Sequence, residues 1–278
     1  MPEDRLPGVR PAGRGRPSVS AAAPVLATVA IVVGVASGVN TPASDPGARV
    51  ASASPTPTPP PRPSPAAAPS PTPVASFDLA ARSTGDPASL WVVVNKQRPL
   101  TPLDYLPADL VDVPVPHVFE PRLRQEASVA ALAMFAAITE ETGLRLQSQS
   151  AYRGFEAQTR VYNQGVAARG AASADAAIAR PGYSEHQTGL AVDIASLPAE
   201  CALSACFADT PHGQWLRQNA WRFGYLLRYP ADKVTVTGYE FEPWHFRYVG
   251  QDLASELHRT GASTLEEFFH LPAAPGYD

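Results

Sequence analysis

The chain has 278 residues, with 22 Lys and Arg against 26 Asp and Glu, a formal net charge of -4 at pH 7, and 45% hydrophobic residues. That is enough for one ordinary globular domain with accessory segments. There is no basic stripe and no interleaving of aromatic with basic residues, so no nucleic-acid partner is expected.

The N-terminus, residues 1–20, carries Arg10, Arg14 and Arg16 and precedes Ala21 to Val39, an uncharged run built largely of Ala, Val, Ile, Gly and Leu. Its length is close to the ~20 residues a membrane helix needs, although its Ala and Gly content makes it only weakly hydrophobic. Two readings stay open. Residues 21–39 are either a membrane anchor, with the arginines kept in the cytoplasm, or a cleaved signal peptide with Ala36-Ser37-Gly38 or Ala51-Ser52-Ala53 as small-residue cleavage sites. Both export the C-terminal part of the chain. Residues 40–76 hold a Pro, Ala and Ser-rich stretch with 12 of the chain's 31 prolines between Thr41 and Val74. It has no large apolar side chains to bury, so it is expected to be a disordered, partly polyproline stalk. The folded domain is then residues 77–278.

Within that domain, Pro121 to Gly143 has helical spacing, with Leu123, Ala127, Ala131, Leu132, Phe135 and Ile138 on an apolar face and Gly143 as its stop. A strand from Leu144 to Tyr152 and a helix from Phe155 to Ala168 are expected next. Gly189 to Ile194 reads as a strand whose alternation puts Leu190, Val192 and Ile194 on one face and Gly189, Ala191 and Asp193 on the other. Thr210 to Phe223 reads as a helix capped by Thr210 or Asp209, with Trp215, Leu216, Ala220 and Phe223 inward. A short strand, Tyr225 to Tyr229, comes next. In the strand Trp244 to Val249, His245 and Arg247 point one way and Phe246 and Tyr248 the other. Short helices at Gln251 to Thr260 and Leu265 to Phe269 close an α+β domain of helices packed on an antiparallel sheet.

Two segments carry chemistry: Ser184-Glu-His-Gln-Thr-Gly-Leu-Ala-Val-Asp193 and Glu242-Pro-Trp-His245. Together they offer two imidazoles, a carboxylate and a spare glutamate, the inventory of a catalytic zinc site with three protein ligands, one open position and a base. His186, Asp193 and His245 are the candidate ligands for one Zn2+ per chain. Glu242 is the candidate base, and Glu240 its alternative, farther from the ligand histidine. Pro243 keeps Glu242 out of a helix interior, so this is not the helical His-Glu-x-x-His arrangement. His117, His212, His258 and His270 have no carboxylate at useful spacing and read as structural or surface residues.

Ser184-x-His186-x-x-Gly189-x-Ala191-x-Asp193, followed by Glu242-x-Trp244-His245, resembles the signature of the VanY/VanX-type zinc D-alanyl-D-alanine peptidases, whose fold is shared with the hedgehog signalling domain. A third block, Ser150-Ala-Tyr152-Arg153-Gly-Phe-Glu-Ala-Gln158, is similar to that family's Ser-x-Tyr-Arg-x-x-x-x-Gln segment. The blocks keep the family's order, and the resemblance covers roughly residues 90–271. It implies removal of a C-terminal D-alanine from the peptide stem of peptidoglycan, outside the membrane and at the wall. Arg153 is then expected to act catalytically, on an oxyanion or the terminal carboxylate. Ser150, Gln158 and Ser184 are expected to hydrogen-bond the peptide, and Tyr152 and Trp244 to line the cleft. LD-carboxypeptidase, endopeptidase and non-catalytic wall-binding readings stay open, the last opposed by the presence of Glu242. A monomer is expected.

The only cysteines, Cys201 and Cys206, lie between the two metal blocks. Two thiolates on the metal would close its open position, and an exported protein meets an oxidising compartment. A local disulfide is therefore expected.

Overall fold

A computed structural model describes residues 77–278, so the expectations for residues 1–20, 21–39 and 40–76 lie outside the described part. Among the described residues no helix is long and apolar enough to cross a membrane.

Strand β1 (Leu110–Asp112) pairs antiparallel with β2 (Arg122–Arg124), and α1 (Gln125–Thr142) continues from β2 without a break. The helix thus starts four residues later than its apolar spacing predicts. The reason is competition for backbone groups: Arg124 is extended and its N–H donates to Gly189 O at 2.9 Å, while Val113 N–H donates to Pro121 O at 3.0 Å. Residues 121–124 are thereby tied to other segments before a helix can claim them. At the other end Gly143, at φ 76°, closes α1 as expected. Ala127, Ala131, Phe135 and Ile138 face inward with Met134, whereas Leu132 is only half-buried.

Strand β3 (Leu146–Ser150) leads into α2 (Phe155–Arg169) and α3 (Ala171–Ala177). A single 3-10 turn, Glu185–Thr188, then precedes β4 (Ala191–Ser196). Gly189 ends that turn at φ 68°, and a Cβ there would lie 2.7 Å from Leu110 Cδ2 and 3.0 Å from Arg124 Cγ. Glycine is required on both counts, and it delays the strand by two residues relative to the alternation pattern. Helix α4 (Pro211–Asn219) is capped by Thr210, whose Oγ1 accepts from Gly213 N–H at 3.1 Å. It runs into a 3-10 turn, Ala220–Phe223, rather than continuing as α-helix. Then come β5 (Tyr225–Leu227), α5 (Val234–Thr237), β6 (His245–Tyr248), α6 (Gln251–Thr260) and α7 (Leu265–Phe268).

The main sheet is antiparallel in the order β3-β4-β6-β5. One face supplies Leu146, Val192, Ile194 and Phe246 to a core completed by Ala131, Met134 and Ile138 of α1, Leu216 of α4, and Leu253 and Leu257 of α6. Each such buried aliphatic side chain contributes roughly 1.5–3 kcal/mol of hydrophobic stabilisation. The other face is also covered, since all six residues of β4 and all four of β6 are buried. Alternation sends Asp193, His245 and Arg247 to that second face, under the segments that form the cleft.

A buried two-histidine, one-aspartate site with a glutamate beside it

The register of the sheet builds the centre. Asp193 pairs with His245 on β6 and with Ser150 on β3, so the two sequence blocks, 52 residues apart, meet at one rung. The turn Glu185–Thr188 brings His186 over the same rung. His186 Nε2 lies 3.2 Å from Asp193 Oδ2, and His245 Nδ1 lies 3.2 Å from Asp193 Oδ1. One ligand atom from each residue falls within 4.8 Å of the others, and all three residues are buried.

This donor set fits a metal ion. The ring nitrogens turned away from the centre are occupied: His186 Nδ1–H donates to Ala151 O at 2.7 Å, and His245 Nε2–H donates to Glu185 Oε2 at 3.3 Å. Each ring is thereby oriented with its other nitrogen toward the centre, where a metal would displace any proton and take the lone pair, in the manner of metal-binding histidines. The two use opposite nitrogens, Nε2 of His186 and Nδ1 of His245.

The three candidate ligands form part of a cleft of about 340 Å³ whose walls also include Arg153, Ser184, Glu240, Glu242 and Trp244. That volume suits the end of a peptide rather than a folded protein. Glu242 is buried, and its Oε2 lies 3.8 Å from His245 Nδ1. Pro243 sits in the tight turn that brings the two together, with His245 N–H donating to Glu242 O at 3.0 Å. Glu240 also lines the cleft but is exposed. Burial pushes the Glu242 carboxyl up to about 8, against the pull of His245 and with the push of Asp193. Burial alone would raise Asp193 as well, but His186 and His245 hold it well below the usual carboxylate range. Burial opposes charge on His245, yet its hydrogen bonds to Asp193 and Glu185 outweigh this and raise it to about 9.

Arg153 stands at the end of β3 with its backbone N–H on His186 O at 3.2 Å. Its Nε donates to Gln158 Oε1 at 2.6 Å, and Gln158 Nε2 donates in turn to Ala179 O at 2.6 Å. Among the described residues its two Nη atoms take no partner, which leaves a fork of donors on the cleft wall. Gln158 is fully buried behind Arg153 and does not line the cleft. Ser150 and Tyr152 do not line it either, whereas Ser184 and Trp244 do. Cys201 and Cys206 are joined in a disulfide, and the loop they close carries Leu203 onto the cleft wall.

Several site residues are absent from the sequence reading. Glu185 stands between two motif positions yet is fully buried, accepting from Arg228 Nε at 2.8 Å and Arg247 Nη1 at 2.9 Å. Strand alternation put Arg247 on the His245 face, and an inward arginine there demands a buried anion; that was the available signal. Tyr229, whose ring centroid lies 4.8 Å from that of His245, Tyr239 and Ile178 complete the walls from segments without motif.

Two histidines and an aspartate converge beside a buried glutamate, on two strands and a turn of an antiparallel sheet flanked by helices, a donor set and base of the kind hydrolases with a bound metal use. A family profile described as VanY, D-alanyl-D-alanine carboxypeptidase, matches residues 120–251. The YodJ protein of Bacillus subtilis (strain 168) is 40% identical over 189 residues, which cover 66% of this chain and 68% of YodJ. Among solved structures, that of the LdcB LD-carboxypeptidase superposes with a TM-score of 0.61 at 40% identity, covering 66% of this chain and 87% of LdcB. The vancomycin-resistance D,D-pentapeptidase VanY, solved as a mutant with Zn(II), superposes with a TM-score of 0.54 at 32% identity, covering 65% of this chain and 98% of that one. The chain belongs to the VanY family of carboxypeptidases.

Proposed function

We propose that this chain is a zinc-dependent carboxypeptidase that removes a C-terminal D-alanine from the peptide stem of peptidoglycan. The observation that carries this reading is the presence on one cleft of His186, Asp193, His245, Glu242 and the donor fork of Arg153. When bound by the first three, zinc supplies a Lewis acid that acidifies water and polarises the scissile carbonyl. Glu242 then accepts a proton from water on the cleft side and passes it to the departing amine. The Arg153 Nη fork holds either the terminal carboxylate or the oxygen on which charge develops. Gln158 fixes the direction of that fork. Ser184 offers a hydrogen-bonding group and Trp244 an apolar wall to the peptide.

A second reading has its own support. LdcB, an LD-carboxypeptidase, is more similar to this chain than the D,D-pentapeptidase VanY is, in both identity and superposition. The two readings differ in whether the peptide carries one terminal D-alanine or two. The test is to incubate the purified full-length protein with synthetic stem tetrapeptides and pentapeptides and to weigh the fragments. Release of alanine from the pentapeptide alone supports DD-cleavage, and from the tetrapeptide alone LD-cleavage. A cross-linked stem-peptide dimer is added as a third substrate: its cleavage within the cross-link supports an endopeptidase, and no turnover of any of the three by zinc-loaded protein defeats the enzymatic reading.

Such a substrate lies outside the membrane. The arginine-bearing N-terminus, the uncharged residues 21–39 and the Pro-rich sequence after them support action at the wall, either tethered or secreted.

A further inference from the structure

Against His245 Nε2 packs a group of four buried charges, Glu185, Arg228, Arg247 and Glu266, of which only Glu185 also borders the cleft. Arg228 donates to Glu266 through Nη1 at 2.9 Å and Nη2 at 2.7 Å, and to Glu185 through Nε. Asn95 Nδ2 donates to Glu266 Oε1 at 2.9 Å. Arg247 Nη2 donates to Leu90 O at 3.0 Å and Val92 O at 2.8 Å. Two carboxylates balance two guanidiniums, so the group is neutral as a whole, and its donors are spent on one another and on nearby backbone carbonyls. Only one of its contacts points at the site, the one from Glu185 Oε2 to His245.

Stability alone is a weak reason for such a group. Desolvating four charges costs several kcal/mol per ion, and well-packed apolar residues of similar volume often do as well or better. What apolar residues cannot do is accept a proton from an imidazole. We propose that Glu185 is a positioning residue, braced by Arg228, Arg247 and Glu266, that holds His245 in the tautomer protonated at Nε2, with Nδ1 presented to the metal. His186 has only a backbone carbonyl for this purpose. A neutral acceptor suffices there because His186 is a turn residue whose own backbone is tied to Arg153. His245 lies on a central strand, beside two carboxylates, Asp193 and Glu242, that compete for its Nδ1 proton. An anion on the far nitrogen is needed to keep the proton there.

This inference rests on the metal-site reading, and the experiment separates the two. Zinc dissociation constants are measured for the full-length wild type, Glu185→Gln and Glu266→Gln by competition with a chromogenic chelator, alongside the Tm of each chelator-treated protein. Nitrogen-15 imidazole shifts of His245 are recorded in the zinc-loaded wild type. The expected result is a protonated Nε2 and a metal-bound Nδ1 in the wild type, and a 10–100-fold weaker zinc affinity in Glu185→Gln. Glu266→Gln, which touches no ligand, should weaken zinc binding in the same direction and by less. A wild type that binds no zinc defeats the metal site itself. A wild type that binds zinc while Glu185→Gln lowers Tm but keeps the wild-type affinity overturns only the positioning role. Should neither variant fold, the wild-type shifts decide: metal on Nε2 of His245 overturns the proposal.

Discussion

Asp193 and His245 are cross-strand partners in β4 and β6, and that pairing places Asp193 Oδ1 3.2 Å from His245 Nδ1. Strand register therefore sets the Asp193–His245 half of the candidate centre, and the turn Glu185–Thr188 adds His186 to it. A slip of one residue would send one of the pair to the opposite face of the sheet.

From this comes the expectation for metal. His245→Ala, and likewise His186→Ala, should reduce zinc in the purified protein from one per chain to below stoichiometric, measured by elemental analysis after dialysis. Retention of one tightly held zinc in the double variant would exclude these ligands.

Glu242→Gln keeps the shape of the side chain and removes the proton acceptor. It should retain zinc and lose on the order of 100-fold or more in kcat on the preferred stem peptide. The same loss in Glu240→Gln, with Glu242→Gln active, would move the base to the exposed residue.

The pH dependence comes from burial of Glu242. A base works when ionised, so kcat/KM should rise with pH; a cation in the site lowers the carboxyl, placing the ascending limb below about 8. For stability the sign is opposite. The Glu242 carboxyl, raised to about 8, and His245, raised to about 9, both keep protons that the unfolded chain has released by pH 7. Chelator-treated protein should therefore lose stability between pH 7 and 9, on the order of 1 kcal/mol per group. Glu242→Gln should flatten part of that loss in thermal melts, and a Tm that climbs across the window would contradict the assignment.

Arg153 and Gln158 give a paired test. Arg153→Ala removes the donor fork and should cost roughly 100-fold or more in kcat/KM, as loss of a single transition-state donor does. Gln158→Leu only frees that fork to wander, so it should cost less, with zinc content unchanged. Equal losses in the two variants would mean that Gln158 itself touches the peptide.

How much of the site and fold is legible in the sequence depends on the range of the contacts involved. His186, Asp193, Glu242 and His245 are legible because short-range constraints fix them: a glycine that ends a turn, a proline that holds a turn before a strand, and the two-residue period of a strand. The core face of α1 is legible for the same reason, although its first turn is lost to pairing between β1 and β2. Helix α3 has too few apolar residues, nearly all Ala, to show a period, and α5 is a single turn. The part played by Gln158 depends on Ala179, and the burial of Glu185 on Arg228, 43 residues away. No spacing rule reports such distant partners.

The disulfide bears on where the cleft keeps its shape. Cys201 and Leu203 both have positive φ, 55° and 50°, a conformation that costs a non-glycine residue about 1 kcal/mol or more. A six-residue cross-linked loop restrains the unfolded chain by about 2 kcal/mol, enough to hold that small segment but little beside a whole domain. In a reducing medium the fold should survive while the segment bearing Leu203 loses its restraint. The shape of that wall is thus tied to the oxidation state of two sulfurs that do not themselves line the cleft.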